Sequence, residues 1–169
     1  EGYGAGAMTQ KTALVTGASQ GIGKTAAKAL AADGYRVIVH YGSNQANAEA
    51  VAADIRAAGG SADIVGADLS DPNAAHQLAD AVKQLCGGAL HALVLNAAIM
   101  PASDFADCTP ETFDRIFHIN LRAPFFLLQQ LTPVLADGAS VVWVSSLTAR
   151  RVVGTVAAYG SMKGSIESF

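Results

Sequence analysis

The stretch that decides the fold is TGASQGIG, residues 16–23, which joins a short apolar segment to an alanine-rich one. Glycine tolerates backbone angles and close approaches that other residues do not. Gly17 permits a tight turn, Gly21 lets a ligand approach the backbone, and Gly23 lets a helix pack closely on a strand. Because the N-terminus of such a helix offers free N–H groups, the stretch predicts a strand–turn–helix unit that binds a pyrophosphate group.

On both sides of this stretch, short apolar runs alternate with longer helical patterns. The patterns predict strands at residues 13–16, 36–41, 62–67, 91–95 and 140–144. They predict helices at residues 21–33 and 46–58, from Pro72, from Pro110 towards Pro133, and from about Ala157. Each connection is long enough for a right-handed crossover, so we predict an α/β domain with a doubly wound parallel sheet, the Rossmann fold.

Composition and charge limit the classes of function. Of the 169 residues, 51% are hydrophobic and 15% are charged, which suits one soluble domain with a buried sheet. The net charge is −3 and the chain has no basic block, so we expect no nucleic-acid partner. The longest apolar stretch, residues 90–100, is shorter than the roughly 20 residues of a membrane span, so we expect no membrane association.

The cysteines and the N-terminal residues do not indicate a functional site. Cys86 and Cys108 lie far apart and lack metal-ligand spacing, so we expect reduced thiols in a cytoplasmic protein and no metal site. Residues 1–8 are small and Gly-rich, and we interpret them as a cloning remnant. The predicted domain therefore covers residues 9–169.

A second motif overlaps the glycine stretch. Residues 18–25 read ASQGIGKT, which differs from the Walker A pattern of nucleoside triphosphatases only in its first residue. In such an enzyme Lys24 would contact phosphates, Thr25 would contact magnesium, and another strand would end in Asp. The fourth and fifth predicted strands are followed instead by Asn96 and Ser145, which favours dinucleotide binding.

Two residues of the last predicted helix are candidates for acid–base chemistry. Tyr159 and Lys163 lie four residues apart, so their side chains share one face about 6 Å apart along the axis. A cation within about 4–6 Å favours a phenolate, and we expect Lys163 to lower the pKa of Tyr159. Ser146 follows the fifth strand, and Asn120 lies inside a helix, where its poor helix propensity indicates a side-chain role.

Together these features resemble the short-chain dehydrogenase/reductase family, and 3-oxoacyl reductases within it. The resemblance extends over residues 12–169. It rests on the glycine pattern at 16–23, Asp68-Leu69 after the third strand, Asn96-Ala97-Ala98 after the fourth, Asn120, and the spacing from Ser146 to Tyr159-x-x-x-Lys163. Leu95 and Ala98 depart from the family's N-N-A-G signature, and the methyl group of Ala98 takes up space that the family leaves near its cofactor.

The resemblance implies an NAD(P)-dependent oxidoreductase that transfers hydride between nicotinamide and a small carbonyl or alcohol substrate. Tyr159 would exchange a proton with the substrate oxygen, and Ser146 would hydrogen-bond that oxygen. Lys163 would lower the pKa of Tyr159 and hold the nicotinamide ribose, and Asn120 would anchor a water that links Lys163 to solvent. The cofactor contacts that the resemblance implies are Gly17, Ser19, Gln20, Gly21, Ile22, Gly23, Tyr41, Ser43, Asn44, Asp68, Leu69, Asn96, Ala97, Ala98, Tyr159 and Lys163.

The residues after the second strand bear on the choice of cofactor. An NAD site usually has an acid there that holds the ribose 2′-OH and would repel the 2′-phosphate of NADP. Residues 39–44 read VHYGSN and include no acid, which favours NADP. NAD stays possible because no Arg or Lys follows the strand, and Gln20 stands where NADP-preferring relatives often have a cation.

Relatives in the family continue beyond the equivalent of Phe169, through two further strands and a substrate-covering loop. We therefore expect the C-terminal part of the domain to be missing, the fifth strand to be a bare sheet edge, and a fragment of this length to show little catalysis. For the full-length protein the resemblance implies a homotetramer or homodimer. The alternative is a catalytically silent dinucleotide-binding or sensor protein, which Leu95 and Ala98 favour and the four catalytic candidates oppose.

Overall fold

The computed structural model of the chain describes residues 10–151 and 153–169, so the predicted remnant at 1–8 lies outside the described residues. In this part of the chain five parallel strands form one sheet in the order β3-β2-β1-β4-β5. They are β1 (Thr12–Val15), β2 (Arg36–Tyr41), β3 (Ser61–Gly66), β4 (Leu90–Leu95) and β5 (Leu135–Trp143). The predicted doubly wound parallel sheet is confirmed. Its order reverses between β1 and β4, where such sheets bind their ligands.

The helices of the described residues lie in the connections between strands and after the last one. They are α1 (Gly21–Ala32), α2 (Gln45–Ala57), α3 (Ala74–Leu85), α4 (Pro110–Phe117), α5 (Ala123–Leu131) and α6 (Ala157–Ile166). None of them is long and apolar enough to cross a membrane. The helix predicted from Pro72 begins later, at Ala74, and β5 begins earlier than predicted, with a register shift against β4 between Leu90 and Ala92.

The helix predicted from Pro110 towards Pro133 is not uniform. A π-helical turn, His118–Arg122, separates α4 from α5, and the N–H of Ala123 donates to the carbonyl of His118. Pro124 explains the interruption. Proline has no N–H to donate to the carbonyl of residue 120, and its ring would crowd that carbonyl in a regular helix. The turn therefore places Asn120 where the ordinary α-helical ladder is broken.

The sheet buries apolar side chains on both faces because successive strand residues point in opposite directions. Leu14 and Leu93 pack with α3 and α5 on one face. Val15 and Val39 pack with α1 and α2 on the other. A smaller cluster of Ile116, Met162 and Ile166 joins α4 to α6. The carboxyl ends of the strands are thereby held at one rim of the sheet.

Candidate active site

The glycine loop between β1 and α1 has the close packing that the sequence predicts. Gly17 has a φ of +62°, and a Cβ built on it would lie 2.8 Å from the Cα of Ala97. A Cβ on Gly23 would overlap the carbonyl oxygen of Gly17 and lie 2.5 Å from Nδ2 of Asn96. Around Gly21, with a φ of +56°, the space is open. Two glycines therefore permit packing within the protein, and the third faces open space.

A hydrogen-bond network ties the loop after β4 to the glycine loop. The buried hydroxyl of Thr16 accepts from the N–H groups of Asn96, at 2.9 Å, and Ala97, at 3.0 Å. The Asn96 amide donates to the carbonyls of Thr16, at 3.0 Å, and Gly17, at 3.1 Å. Leu95 departs from the family signature, but its side chain is buried in the core on the α3 and α5 face. The network thus fixes the geometry of the rim at the point where the strand order reverses.

A cavity of about 680 Å³ opens at this rim. Twelve of the sixteen predicted cofactor contacts line it: Gly17, Ser19, Gln20, Gly21, Ile22, Ser43, Asn44, Asp68, Leu69, Asn96, Ala97 and Ala98. Gly23 lies beneath the loop, and the ring of Tyr41 packs against Gly66. Tyr159 and Lys163 are also outside the lining and belong to the neighbouring region around α6.

The cavity also has walls that the sequence reasoning missed: His40, Gly42, Ala67, Ser70, Ile99, Arg115 and Ile119. Arg115 and Ile119 are four residues apart, so helical spacing places them on one face towards the cavity. That spacing was available as a signal. The placement of Ile99, Ala67 and Gly42 depends on loop conformation and had no comparable signal.

The Walker A interpretation does not fit this geometry. Among the described residues, neither Lys24 nor Thr25 lines the cavity. The Thr25 hydroxyl donates to the carbonyl of Gly21 at 3.3 Å within α1. A phosphate in the cavity would therefore meet the glycine-loop backbone and not the lysine and threonine that a nucleoside triphosphatase uses.

The other candidate residues, Ser146, Tyr159 and Lys163, lie together on the β5 side of β4. Lys163 on α6 is buried, and its Nζ donates to the carbonyl of Val144 at 2.6 Å, just after β5. The same Nζ lies 5.6 Å from the ring centre of Tyr159. The Ser146 Oγ accepts from the N–H and the hydroxyl of Thr148, at 3.2 and 2.9 Å. Ser146, Tyr159 and Lys163 thus occupy one region where α6 packs on the segment after β5.

The electrostatics of this region differ from our expectation. Partial burial raises the pKa of Tyr159, and the interaction with the Ser146 side chain opposes the rise. Burial also lowers the pKa of Lys163. The prediction that Lys163 lowers the pKa of Tyr159 is wrong in this geometry, because the lysine points to Val144 and desolvation of the phenol dominates.

Asn120 links the two regions. Its buried side chain accepts from the N–H of Ile99 at 2.8 Å and donates to the carbonyl of Ile99 at 2.7 Å. Ile99 lines the cavity and, like Tyr159, packs against the cluster of Ile116, Met162 and Ile166. The side chain of Asn120 is therefore occupied in holding the loop after β4.

Within residues 10–151 and 153–169, no three His, Cys, Asp or Glu side chains come together as a metal site would require.

Comparison with known proteins gives the family. The model of the family described as short chain dehydrogenase matches residues 11–169. The chain belongs to the short-chain dehydrogenase family. The family resemblance seen in the sequence is thereby confirmed.

Individual relatives cover almost all of this short-chain dehydrogenase. An uncharacterized oxidoreductase of Methylorubrum extorquens is 39% identical over 94% of the chain and 63% of its own length. Versicolorin reductase 1 of Aspergillus parasiticus is 38% identical over 94% of the chain and 61% of its own length. The solved structure of the landomycin C-6 ketoreductase LanV, with bound NADP and rabelomycin, is 39% identical, with a TM-score of 0.89 over 94% of this chain and 66% of that one.

This short-chain dehydrogenase spans 60–63% of the length of the curated relatives it matches. The family and the fold are therefore shown, whereas the roles of Asn120, Ser146, Tyr159 and Lys163 stay predictions. The same holds for the sixteen cofactor contacts.

Proposed function

We propose that this chain provides the cofactor-binding and acid–base residues of an NADP-dependent oxidoreductase that acts on a carbonyl or alcohol. Support comes from one observation above all. The glycine loop and the Ser146, Tyr159 and Lys163 region lie at one rim of a parallel sheet, joined through Ile99 and Asn120. A dinucleotide laid across such a rim brings its phosphates to the first region and its reactive ring to the second.

The cavity suits a dinucleotide. Gln20, at the N-terminus of α1, makes no side-chain cap bond within the described residues, so first-turn N–H groups are available to a pyrophosphate. Hydrogen bonds from the N–H and hydroxyl of Ser70, helped by the charge of Arg115, hold the pKa of Asp68 below its ordinary value. Both Ser70 bonds go to the same Asp68 oxygen, at 2.9 and 2.7 Å, so the other oxygen is left to accept from an adenine amino group.

The choice of NADP over NAD follows from the charges of the cavity walls. Ser43 and Asn44, without an acid, stand where NAD sites carry a carboxylate. Arg115 adds a positive charge to the same cavity, which favours a ligand with a further phosphate. The related landomycin C-6 ketoreductase LanV holds NADP.

The side chains supply proton transfer and orientation. When bound, the nicotinamide supplies or accepts the hydride at its C4 atom. In carbonyl reduction, Tyr159 gives its proton to the oxygen as the hydride adds to the carbon, and an alcohol results. The raised pKa of Tyr159 keeps the phenol protonated at neutral pH, the form that this direction needs.

Ser146 and Lys163 have protons left for these tasks. The Ser146 oxygen accepts two hydrogen bonds from Thr148, so its own hydrogen is the one that interacts with Tyr159, and it would turn to the substrate oxygen during the reaction. Lys163 has three N–H donors and gives one to Val144, which leaves two for ribose hydroxyls.

The experiment measures NADPH binding and NADPH consumption by the full-length protein with a panel of ketones and aldehydes. We expect Tyr159→Phe to lower turnover by at least about a hundredfold, because general acid catalysis is lost, with cofactor affinity nearly unchanged. Tyr35→Phe is the matched control. Tyr35 directly precedes β2, at the amino end of the strand and away from the cavity, so turnover and cofactor affinity should both stay unchanged.

Full activity in Tyr159→Phe would contradict the assigned role. Binding of NADPH without turnover of any substrate by the unaltered full-length protein would favour the alternative, a silent dinucleotide-binding or sensor protein. Binding of NADH in clear preference to NADPH would contradict the choice of cofactor.

A further inference from the structure

His40 is a buried imidazole within the cavity wall that the proposed chemistry does not use. It lies on β2 and is 1% exposed. Its Nδ1 accepts from the N–H of Gly17 at 3.1 Å, so Nδ1 carries no hydrogen. Its Nε2 lies 3.0 Å from the carbonyl of Ala67 and must therefore carry the hydrogen and donate it. The ring is the neutral tautomer, and both of its nitrogen atoms are engaged.

These bonds join the carboxyl ends of three strands. Gly17 opens the glycine loop after β1, and Ala67 follows β3 and directly precedes Asp68. The backbone carbonyl of His40 adds a further link, since it accepts from the N–H of Ala18 at 2.8 Å. Gly17, His40 and Ala67 all line the cavity. His40 thus spans the distance between the proposed pyrophosphate and adenine positions.

We propose that His40 is a positioning residue for the cofactor, which sets the glycine loop and the Asp68 loop at the separation that the dinucleotide requires. This inference rests on the proposed cofactor function. His40 holds the backbone of both loops, so we expect it to act on cofactor affinity and not on proton transfer at Tyr159.

The hydrogen bonds of His40 to Gly17 and Ala67, together called the clasp, depend on the neutral ring. A protonated His40 would direct an Nδ1–H at the N–H of Gly17, so two donors would face each other. Burial lowers the pKa of His40 to about 4, which keeps the ring neutral near neutral pH. The charged groups that line the same cavity are Asp68 on the β3 side and Arg115 on α4, and both side chains are exposed.

His91 offers a matched control. Its Nδ1 accepts from the N–H of Thr12 at 3.1 Å, so it makes the same type of bond to the first residue of β1. That bond lies at the amino end of the sheet, away from the cavity. If His40 served stability alone, both His40→Leu and His91→Leu would lower the melting temperature and leave NADPH affinity unchanged.

The test compares NADPH dissociation constants and melting temperatures of the two leucine variants and of His40→Asn. We expect His40→Leu to weaken NADPH binding by about tenfold or more, because buried partners on both loops are left unpaired. His91→Leu should bind NADPH as the unaltered protein does, although its melting temperature falls. His40→Asn should restore part of the affinity, because its side-chain oxygen can accept from Gly17 as Nδ1 does.

Equal NADPH affinity of His40→Leu and the unaltered protein would overturn the inference and leave the proposed function standing. Failure of the unaltered protein to bind any nicotinamide cofactor would overturn the proposed function itself. If His40→Leu does not fold, His40→Asn decides the matter. His40→Asn removes the Ala67 bond alone. An NADPH affinity of His40→Asn below that of His91→Leu supports the clasp, and equal affinities of the two variants refute it.

Discussion

Replacement of Gly23 by alanine tests the close packing of the glycine loop. Inside an ordinary helix this change stabilises by about 1 kcal/mol. At Gly23 the methyl group would overlap the carbonyl oxygen of Gly17 and press on Nδ2 of Asn96, at 2.5 Å. Overpacking costs about 1–3 kcal/mol, and loss of the Asn96 to Gly17 hydrogen bond costs about 1 kcal/mol more. We therefore expect a net destabilisation of about 1–3 kcal/mol.

For a domain of this size such a loss lowers the melting temperature by about 2–12 °C. Thermal unfolding by circular dichroism measures it, and an NADPH titration should show weaker binding because the loop must shift. Gly164→Ala is the control, since its new Cβ would meet only the carbonyl of Ala149 at 3.7 Å. Its melting temperature should hold or rise. If Gly23→Ala is as stable as Gly164→Ala and binds NADPH normally, the packing argument for the loop is wrong.

Two further predictions concern the same rim of the sheet. Thr16→Val leaves the N–H groups of Asn96 and Ala97 without their acceptor, so the free energy of unfolding, measured by chemical denaturation, should fall by roughly 2–5 kcal/mol. Thr16→Ser keeps the hydroxyl and should largely avoid this loss, so equal stability of the two variants would refute the prediction. The depressed pKa of His40 favours the neutral ring in the folded state, so its contribution to stability is present above pH 6.5 and is lost as the pH falls towards about 4. The free energy of unfolding should fall by about 3 kcal/mol more over that interval in the unaltered protein than in His40→Asn, and an equal fall in the two would speak against the assignment.

The sheet and the glycine loop were predictable from the sequence because their signals are local. Apolar runs of strand length, helices of alanine and leucine, and glycines at fixed spacing each follow from neighbouring residues. Because the ends of parallel strands share one rim, the residues after each strand could be assigned to one site. Twelve of the predicted contacts do line one cavity.

What the sequence did not predict depends on tertiary structure. The direction of the Lys163 side chain, towards Val144, and the burial of Tyr159 set their pKa values, and neither follows from a spacing of four residues. The π-helical turn was foreseeable in principle from Pro124, but the pattern of apolar residues continued through it. The two bonds of His40 link strands that are distant in sequence, so an isolated histidine gave no sign of them.

A crystal structure of the protein with NADP bound tests the central claim most directly. We expect the pyrophosphate against the backbone of residues 17–23, the adenosine near Asp68, and the nicotinamide beside Tyr159 and Lys163 with its C4 atom open to a substrate. A nucleotide seated elsewhere, or one whose nicotinamide lies away from Tyr159 and Ser146, would contradict the claim that these residues form one oxidoreductase site.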